Sequence, residues 1–464
     1  MESARVGGAA ARPDVLVVGG GNAALCAAMS ARDAGARVLL LEKTAPEWRG
    51  GNSKYTRNVR VASPTYPEDE FLRDLIQVTG PDLDRRLARF TIERSRELPA
   101  WMEAHGARWQ PALRGTLQLS RTNRFFLGGG KALLNAYYRH AERAGVEVRY
   151  RAEVVALEIE DGAFRAARVR TPEGERAVGA GAVVVASGGF EGNRDWLRRI
   201  HGEAADNYLI RGSGANDGRL LGQLLELGAR RRGNPHGFHA VACDARSPRA
   251  EGGIVTRIDA IPFGIVVNRE GRRFADEGAD LWPKRYASWG GLIARQPEQL
   301  AFSVFDSQVA GRFIPPLYPP LRADRLEDLA GRMGIDATVL IETVEGFNRA
   351  VDRETPYDPG RLDGRGTRGL DPPKSNWALA IERPPYFAYP LRPGITFTYL
   401  AVGVDERARV LREDGRPFAN VFAAGEVMAG NVLLNGYLGG FGMTIGSVFG
   451  RIAGEEAADR GRAG

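Results

Sequence analysis

The glycine-rich turn Gly19-x-Gly21-x-x-Ala24 is the first group of residues in this chain whose types and spacing predict chemistry. Its glycines allow the backbone to approach a pyrophosphate, and the unpaired amides at the start of a following helix attract negative charge. Glu42 comes about 20 residues later, where a carboxylate accepts hydrogen bonds from ribose hydroxyls and repels the 2′-phosphate of NADP. The pattern predicts a dinucleotide site and leaves FAD and NAD open.

The elements that must position this turn form a strand, helix and strand. The apolar run Val15 to Val18 predicts a buried parallel strand, the alanine-rich spacing from Ala23 to Ala34 predicts a helix, and Ala36 to Glu42 predicts a second strand. The apolar run Ala182 to Ala186 predicts another strand, closed by the turn Ser187-Gly188. This second glycine turn indicates that the chain returns beneath the same dinucleotide.

The final segment predicts a third approach to that site. Val421 to Ala424 is typical of a strand and leads into Gly425-Glu426. The glycine-rich stretch from Gly439 to Gly454 leads into a helix of small and apolar residues, whose N-terminus attracts electron-rich groups. Three glycine-marked turns from distant parts of the chain fit one extended FAD better than an NAD.

The stretch from Arg230 to about Lys374 differs from its surroundings because it is rich in proline, glycine, arginine and aromatic residues. Helical periodicity is clear there only from Asp324 to Val351. We therefore predict an α/β fold, with a Rossmann-like FAD-binding domain over residues 1–232 and 377–464. An α+β capping domain over residues 233–376 interrupts it.

Composition narrows the class of protein. The 464 residues are 43% hydrophobic and 26% charged, which is enough to bury a large core. The net charge of +7 indicates either basic residues spread over solvated faces or a few arginines that attract an anionic substrate. No basic block is interleaved with aromatic residues, so nucleic acid is not an expected partner.

The cysteine spacing indicates whether the protein binds a metal, and the apolar runs indicate whether it carries a signal peptide or a membrane span. Cys26 and Cys243 lie far apart and match no metal or haem spacing, so we expect no metal. Met1 to Pro13 has no apolar segment typical of a signal peptide, and no stretch approaches the ~20 apolar residues of a membrane span. The expectation is a cytoplasmic protein without a transmembrane segment.

Five motifs in preserved order resemble the flavoprotein subunits of fumarate reductase and succinate dehydrogenase. They are Gly50 to Ser53, Ser187 to Asn193, Ala215 to Gly218, Val267 to Glu277 and Ala424 to Glu426. Within that group the chain most resembles the FAD-dependent tricarballylate dehydrogenases, which oxidise a propane tricarboxylate to cis-aconitate. This likeness rests on the segments Gly19 to Ala28, Glu47 to Asn58, Ile395 to Tyr399 and Gly425 to Asn431.

The resemblance implies FAD bound noncovalently, because Arg49 to Thr56 lacks the histidine that carries covalent flavin in the succinate dehydrogenase branch. The helix near Met443 is expected to direct its N-terminus at the flavin N1–O2 edge, where negative charge accumulates on reduction. The predicted cofactor-binding residues are Gly19, Gly21, Asn22, Ala23, Ala24, Glu42, Lys43, Gly50, Gly51, Asn52, Ser53, Val154, Ala186, Ser187, Gly188, Asp217, Gly425, Glu426, Gly442, Met443 and Thr444.

The chain departs from fumarate reductases at the residues expected to bind substrate. Thr396 and Phe397 stand where those proteins have a histidine pair, and Tyr437 stands in the last glycine motif in place of an arginine. These departures disfavour succinate and fumarate. Tyr437 before a glycine pair also resembles the flavin ketosteroid dehydrogenases, in which such a tyrosine hydrogen-bonds a ketone.

The resemblance also suggests which residues contact substrate. An arginine proton shuttle is expected between Asp276 and Ser288, where Arg285 and Tyr286 are alternatives. His239 lies where the family presents a substrate-binding histidine, and it completes the predicted catalytic set with Arg285, Tyr286 and Tyr437. The predicted substrate-binding residues are Arg57, Asn58, His236, Thr396, Thr398, Tyr399 and Asn435.

These features predict an FAD-dependent oxidoreductase that acts on a carbon–carbon bond next to a carboxylate, with tricarballylate-like polycarboxylates favoured and the reverse reduction open. A base must remove a proton beside the carbon that loses hydride, while donors grip the carboxylate. The alternatives are an enoate or enone reductase, a ketosteroid-type dehydrogenase, and an electron-transfer subunit. With no cysteine cluster of its own, the chain is expected to pass electrons to a separate quinone, iron–sulfur protein or soluble acceptor.

Overall fold

The computed structural model describes residues 12–112 and 119–463. Residues 1–11, where we expect no signal peptide, lie outside the described part. The strands are β1 Val15–Val18, β2 Val38–Leu41, β3 Asn58–Arg60, β4 Asn123–Phe125, β5 Glu147–Arg149, β6 Glu153–Glu160, β7 Ala163–Thr171, β8 Gly174–Gly179, β9 Ala182–Val185, β10 Leu209–Ile210, β11 Arg231–Arg232, β12 Phe238–Asp244, β13 Ile265–Asn268, β14 Ala301–Asp306, β15 Leu321–Ala323, β16 Tyr386–Thr398, β17 Ala401–Val402, β18 Arg409–Leu411 and β19 Pro417–Ala423.

The α-helices connect and cover these strands. They are α1 Asn22–Asp33, α2 Glu68–Thr79, α3 Arg85–Arg94, α4 Leu98–Ala104, α5 Gly129–Arg143, α6 Arg194–His201, α7 Arg219–Glu226, α8 Trp282–Arg285, α9 Trp289–Ala294, α10 Leu326–Met333, α11 Ala337–Ala350, α12 Glu426–Ala429 and α13 Phe441–Arg462.

The main sheet has six strands in the order β18-β19-β9-β1-β2-β5. Strand β1 pairs in parallel with both β2 and β9, so that Val18 lies beside Leu41 and Val185. Strand β19 continues the parallel arrangement beside β9. The carboxyl ends of these strands meet at one edge, which is where open α/β sheets bind ligands. The predicted strand, helix and strand unit is confirmed.

Helices α1 and α13 pack closely because their facing residues are small. A Cβ atom added at Gly450 would lie 2.5 Å from the Ala23 carbonyl oxygen, and one at Gly454 would lie 2.3 Å from the Ala27 carbonyl oxygen. Glycine is therefore required for this backbone approach. The contact aligns the N-termini of both helices toward the same edge of the main sheet.

The second region is built on a sheet in the order β10-β16-β14-β13, with β12 and β15 also pairing with the long strand β16. The helical periodicity predicted from Asp324 to Val351 is confirmed as two helices, α10 and α11, because Gly334 adopts a left-handed conformation between them. The short helices α8 and α9 are additional. Strand β16 extends this sheet past residue 376, and the predicted domain boundaries stay a prediction.

None of the helices within residues 12–112 and 119–463 has both the length and the apolar character needed to cross a membrane.

Candidate functional site

A cavity of about 470 Å³ lies between the carboxyl edge of the main sheet and the second region. The turn after β1, the start of α1 and the start of α13 form one end of it, while residues of β12, the 254–263 segment and α8 form part of the other. The two ends differ in what they present to a ligand.

The turn after β1 is shaped for close backbone approach. Gly19 has φ +118°, and a Cβ atom there would lie 2.4 Å from the Ala186 carbonyl oxygen. At Gly20 a Cβ atom would lie 2.0 Å from Glu42 Oε2. The N–H of Asn22 donates to Ser53 Oγ over 3.0 Å, which ties the start of α1 to the loop after β2.

Carboxylates hold fixed positions along the same end. Glu42 Oε1 accepts hydrogen bonds from the N–H and hydroxyl of Thr44, at 2.7 and 2.9 Å, and this orients the buried Glu42 side chain. Lys43 Nζ lies 3.1 Å from Asp217 Oδ2. Burial acts to raise the pKa of Asp217, but Lys43 and the N–H of Arg219 lower it overall. Asp217 therefore stays ionised beside the cavity.

Asn52 joins two buried carboxyl groups, Glu191 and Glu426. Its Nδ2 lies 2.6 Å from Glu191 Oε1 and 3.1 Å from Glu426 Oε2, and its Oδ1 accepts from the N–H of Ser213. The N–H of Thr398 donates to Glu426 Oε1 over 2.8 Å. Burial raises the pKa of both carboxyl groups, and the proximity of Glu191 raises the pKa of Glu426 further. The pair is thus suited to hold a proton between its two members.

The start of α13 faces the cavity with its positive dipole end. Gly440 precedes the helix in a left-handed conformation, and Gly442 and Met443 line the cavity. The N–H of Gly442 donates to the Tyr437 hydroxyl over 3.0 Å. A helix of 22 residues directed this way favours negative charge at its start.

These observations fit the predicted dinucleotide. Two helix N-termini, a turn without room for side chains at Gly19 and Gly20, and an oriented carboxylate at Glu42 provide an elongated site for an anionic, hydroxyl-bearing group. The predicted cofactor residues that line the cavity are Gly19, Gly21, Asn22, Ala23, Glu42, Lys43, Gly51, Asn52, Ser53, Val154, Ala186, Ser187, Gly188, Asp217, Gly425, Glu426, Gly442 and Met443.

The guanidinium groups of Arg57, Arg211 and Arg257, called the arginine cluster below, line the other end. Arg211 Nε donates to Thr396 Oγ1 over 2.8 Å, and Arg257 Nη2 donates to Asp259 Oδ2 over 2.8 Å. Burial, reinforced by repulsion from Arg257, lowers the pKa of Arg57 and of Arg211. Burial acts in the same direction at Arg257, but Asp259 raises its pKa overall. The cluster holds more positive than negative charge.

His239, Tyr286 and Tyr437 stand beside these arginines. The rings of His239 and Tyr437 stack with centroids 4.1 Å apart, and Tyr286 meets His239 edge-on at 6.0 Å. Burial, with Arg211 and Arg257 nearby, holds the pKa of His239 well below its usual range, so the imidazole is neutral. Among the described residues, His239 Nδ1 has no hydrogen-bond partner.

The structure brings most predicted substrate and catalytic residues together and separates others. Arg57, Asn58, Thr396, His239, Tyr286 and Tyr437 line the cavity. The predicted residues that do not line it are Ala24, Gly50, Thr444, Arg285, His236, Thr398, Tyr399 and Asn435.

These eight residues have other contacts. Ala24 is buried within α1, and an added Cβ at Gly50 would meet Leu134. The hydroxyl of Thr444 donates to the Arg60 carbonyl, and that of Tyr399 donates to the Gly436 carbonyl. Arg285 is partly buried on α8, and His236 lies near His201. Thr398 lies beside Glu426, and Asn435 is hydrogen-bonded to Asn234.

Sequence reasoning missed Gly20, Glu191, Arg60, Arg211 and Arg257. Gly20 lies inside the Gly19 to Ala24 turn, and Glu191 lies inside the Ser187 to Asn193 motif. Membership in these motifs was the sequence signal that could have identified both residues. The three arginines follow no recognisable spacing in a chain with many arginines. Their convergence depends on three separate segments of the fold.

Comparisons with known proteins agree with this geometry. The family model described as FAD binding domain matches residues 14–442. A probable fumarate reductase, Ifc3, of Shewanella frigidimarina is 29% identical over 99% of this chain and 77% of its own length. A 4-oxocyclohexanecarboxylate 2-dehydrogenase of Sinomonas cyclohexanicum is 30% identical over 70% of this chain and 60% of its own length. The open conformation of a flavocytochrome c3 fumarate reductase superposes with a TM-score of 0.79 and 25% identity, covering 97% of this chain and 78% of that one.

Proposed function

Since this chain belongs to the FAD binding domain family and is an FAD-dependent oxidoreductase acting on CH–CH donors, we propose that its substrate is a small polycarboxylic acid. The bond that changes order is the carbon–carbon bond next to a carboxylate. The finer proposal is a tricarballylate-like acid, converted to the unsaturated acid or formed from it.

The observation that carries this proposal is the uncompensated charge of the arginine cluster. Arg257 is paired with Asp259, whereas no ion pair joins Arg57 or Arg211 to a carboxylate in the part of the chain that the structure describes. Buried charges need a partner, and a carboxylate is the natural partner of a guanidinium. A substrate with at least two carboxylates supplies the missing negative charge.

The chain's own residues account for the remaining requirements of the reaction. When bound, FAD supplies the hydride acceptor or donor. Arg57 and Arg211 grip the carboxylate and stabilise the enolate-like charge that develops on it. The start of α13 presents its positive dipole end to the cavity. Tyr286 is the residue we assign to the proton, because it lines the cavity and Arg285 does not.

A second candidate function is dehydrogenation of a ring ketone that also carries a carboxylate. Tyr437 and Tyr286 line the cavity with phenol groups, and Trp282, Phe263 and Phe313 add apolar wall to the same cavity. Such a wall suits a carbon ring better than a chain of three carboxylates. A relative at 30% identity is named for a substrate of this kind, 4-oxocyclohexanecarboxylate.

We also propose that FAD is bound noncovalently and that its electrons pass to a separate acceptor, either a quinone, an iron–sulfur protein or a soluble molecule. Cys26 and Cys243 are both buried and unpaired, and they lie in different regions of the fold. Release of the flavin by acid precipitation of the protein tests the first part of this proposal.

The experiment that tests the function is an anaerobic titration of the yellow protein. Tricarballylate, succinate, 4-oxocyclohexanecarboxylate and a ketosteroid are added separately, and loss of the oxidised flavin band is followed. We expect stoichiometric bleaching by tricarballylate. Bleaching only by the ring ketone selects the second candidate, and the absence of bleaching by every acid, with the reduced protein also unable to reduce the matching alkenes, contradicts both.

A further inference from the structure

Four side chains connect the cavity to solvent by hydrogen bonds outside the arginine cluster. Arg60 Nη1 donates to the Tyr66 hydroxyl over 2.9 Å, and that hydroxyl donates to Asp74 Oδ2 over 2.8 Å. Lys284 Nζ lies 2.8 Å from Asp74 Oδ1. Each link is within ordinary hydrogen-bond distance, so the chain is continuous from Arg60 to Lys284.

Exposure increases along this chain. Arg60 lines the cavity and is 4% exposed, and Tyr66 is fully buried. The side chain of Asp74 is 13% exposed and that of Lys284 is 29% exposed. The chain therefore begins at the cavity wall and ends at water, which is the arrangement that proton exchange with solvent requires.

The cavity end of the chain meets the residue assigned to the proton. Arg60 Nε donates to the Gly439 carbonyl over 3.1 Å. A Cβ atom added at Gly439 would lie 3.2 Å from the Tyr286 hydroxyl, so Tyr286 and Arg60 flank the same glycine. Lys284 and Tyr286 lie two residues apart in the sequence. One short segment therefore carries both the solvent end of the hydrogen-bond series, at Lys284, and the tyrosine near its cavity end.

We propose that Arg60, Tyr66 and Asp74 form the relay that exchanges the reaction's proton with solvent. This inference rests on the proposed function. In the direction of reduction, Asp74 passes a proton to Tyr66, Tyr66 passes its own to Arg60, and Arg60 passes one to Tyr286, which delivers its own proton into the cavity. The substrate carbon gains that proton, and the flavin chemistry of the protein supplies the hydride at the adjacent carbon.

Every relay group returns to its starting state after one proton has passed. One O–H bond of protonated Asp74 is broken and one C–H bond is formed, while the bonds broken at Tyr66, Arg60 and Tyr286 are formed again. Solvent then reprotonates Asp74. Dehydrogenation runs the same steps backwards and releases one proton to solvent.

The surroundings of Asp74 are mixed in charge. Lys284 on α8 and Tyr66 contact it directly, while Arg121, paired with Glu70, acts on it from the segment before β4. Arg121 also lies over the ring of Tyr66, with its guanidinium carbon 5.3 Å from the ring centroid.

The test compares Tyr66→Phe and Asp74→Asn in the full chain loaded with FAD. Tyr66→Phe keeps the ring, which stacks on Phe71 with centroids 5.0 Å apart, so the fold is retained. The matched control is Asp69→Asn, on the same helix α2, because Asp69 pairs with Arg89 instead. Flavin content and thermal unfolding of each variant are measured first.

The main readout is proton appearance in one anaerobic half-reaction with tricarballylate, followed with a pH-indicator dye beside the flavin band. We expect both relay variants to slow proton appearance by about 100-fold, the effect typical of a lost acid–base group. Added formate or imidazole buffer is expected to restore the rate in proportion to its concentration. The Asp69→Asn control is expected to match the wild type.

A second readout needs neither flavin nor substrate. In FAD-free protein with isotope-labelled tyrosine, infrared spectra are expected to show one tyrosine C–O band that shifts in Asp74→Asn and disappears in Tyr66→Phe. The absence of that band shift, or wild-type proton appearance in both variants, overturns the relay. Failure of every acid to bleach wild-type flavin, with the reduced protein also unable to reduce the matching alkenes, contradicts the proposed function instead, and the two failures are thereby distinguished.

Discussion

The two ends of the cavity differ in whether backbone or side-chain groups form them. At the end predicted to hold the dinucleotide, backbone features dominate: the turn at Gly19 and Gly20, and the N-termini of α1 and α13. At the arginine end, side chains from separate segments converge, including Arg57, Arg211 and Arg257. The first kind of site tolerates little change in shape, whereas the second can change its ligand when single side chains change.

The largest expected effect comes from Gly19→Ala, because it tests the backbone end. The new Cβ would lie 2.4 Å from the Ala186 carbonyl oxygen, at a φ of +118° that side-chain-bearing residues rarely adopt. We expect loss of nearly all bound flavin and a lower melting temperature, measured by absorbance and thermal unfolding. Gly331→Ala is the control, because a Cβ there meets open space. Retention of flavin in Gly19→Ala at the level of that control would contradict the assignment.

Arg211→Gln tests the arginine end and should leave the backbone end intact. Loss of a charge-assisted hydrogen bond of about 1.5–3 kcal/mol predicts a fall in kcat/KM of about 10- to 100-fold, with unchanged flavin content. Steady-state kinetics with tricarballylate measure it, and exposed Arg349→Gln serves as control. Equal losses of flavin and of activity would show that the two ends are not separable.

The smallest expected effect concerns stability as a function of pH. The pKa of His239 lies well below its usual range in the folded protein, so the unfolded chain binds a proton that the folded chain does not. The free energy of unfolding should therefore decrease as the pH falls below about 6.5, and His239→Gln should weaken that decrease. Denaturant unfolding at pH 7.5 and pH 5 measures it, with exposed His236→Gln as control. Identical pH dependence in the two variants would remove His239 as the cause.

Local sequence patterns predicted the main sheet well. The apolar run at Val15–Val18, the glycine turn and the alanine-rich helix lie close together in the chain, so their geometry follows from short-range rules. The segment from Asp324 to Val351 was also helical, but its division at Gly334 was missed because a single glycine leaves the overall periodicity unchanged. Domain boundaries are harder to predict from sequence. Strand β16 lies after residue 376, the predicted end of the capping domain, but it pairs with the strands of the second sheet.

The sequence by itself determined where a pyrophosphate can approach the chain, because glycine spacing and helix starts act within about 30 residues of one another. Only the tertiary structure decided which arginines share a cavity, which of Arg285 and Tyr286 faces it, and how Arg60, Tyr66 and Asp74 connect. The physical reason is that burial and the absence of a partner make a charged side chain chemically significant. Both properties depend on segments that meet only when the chain has folded.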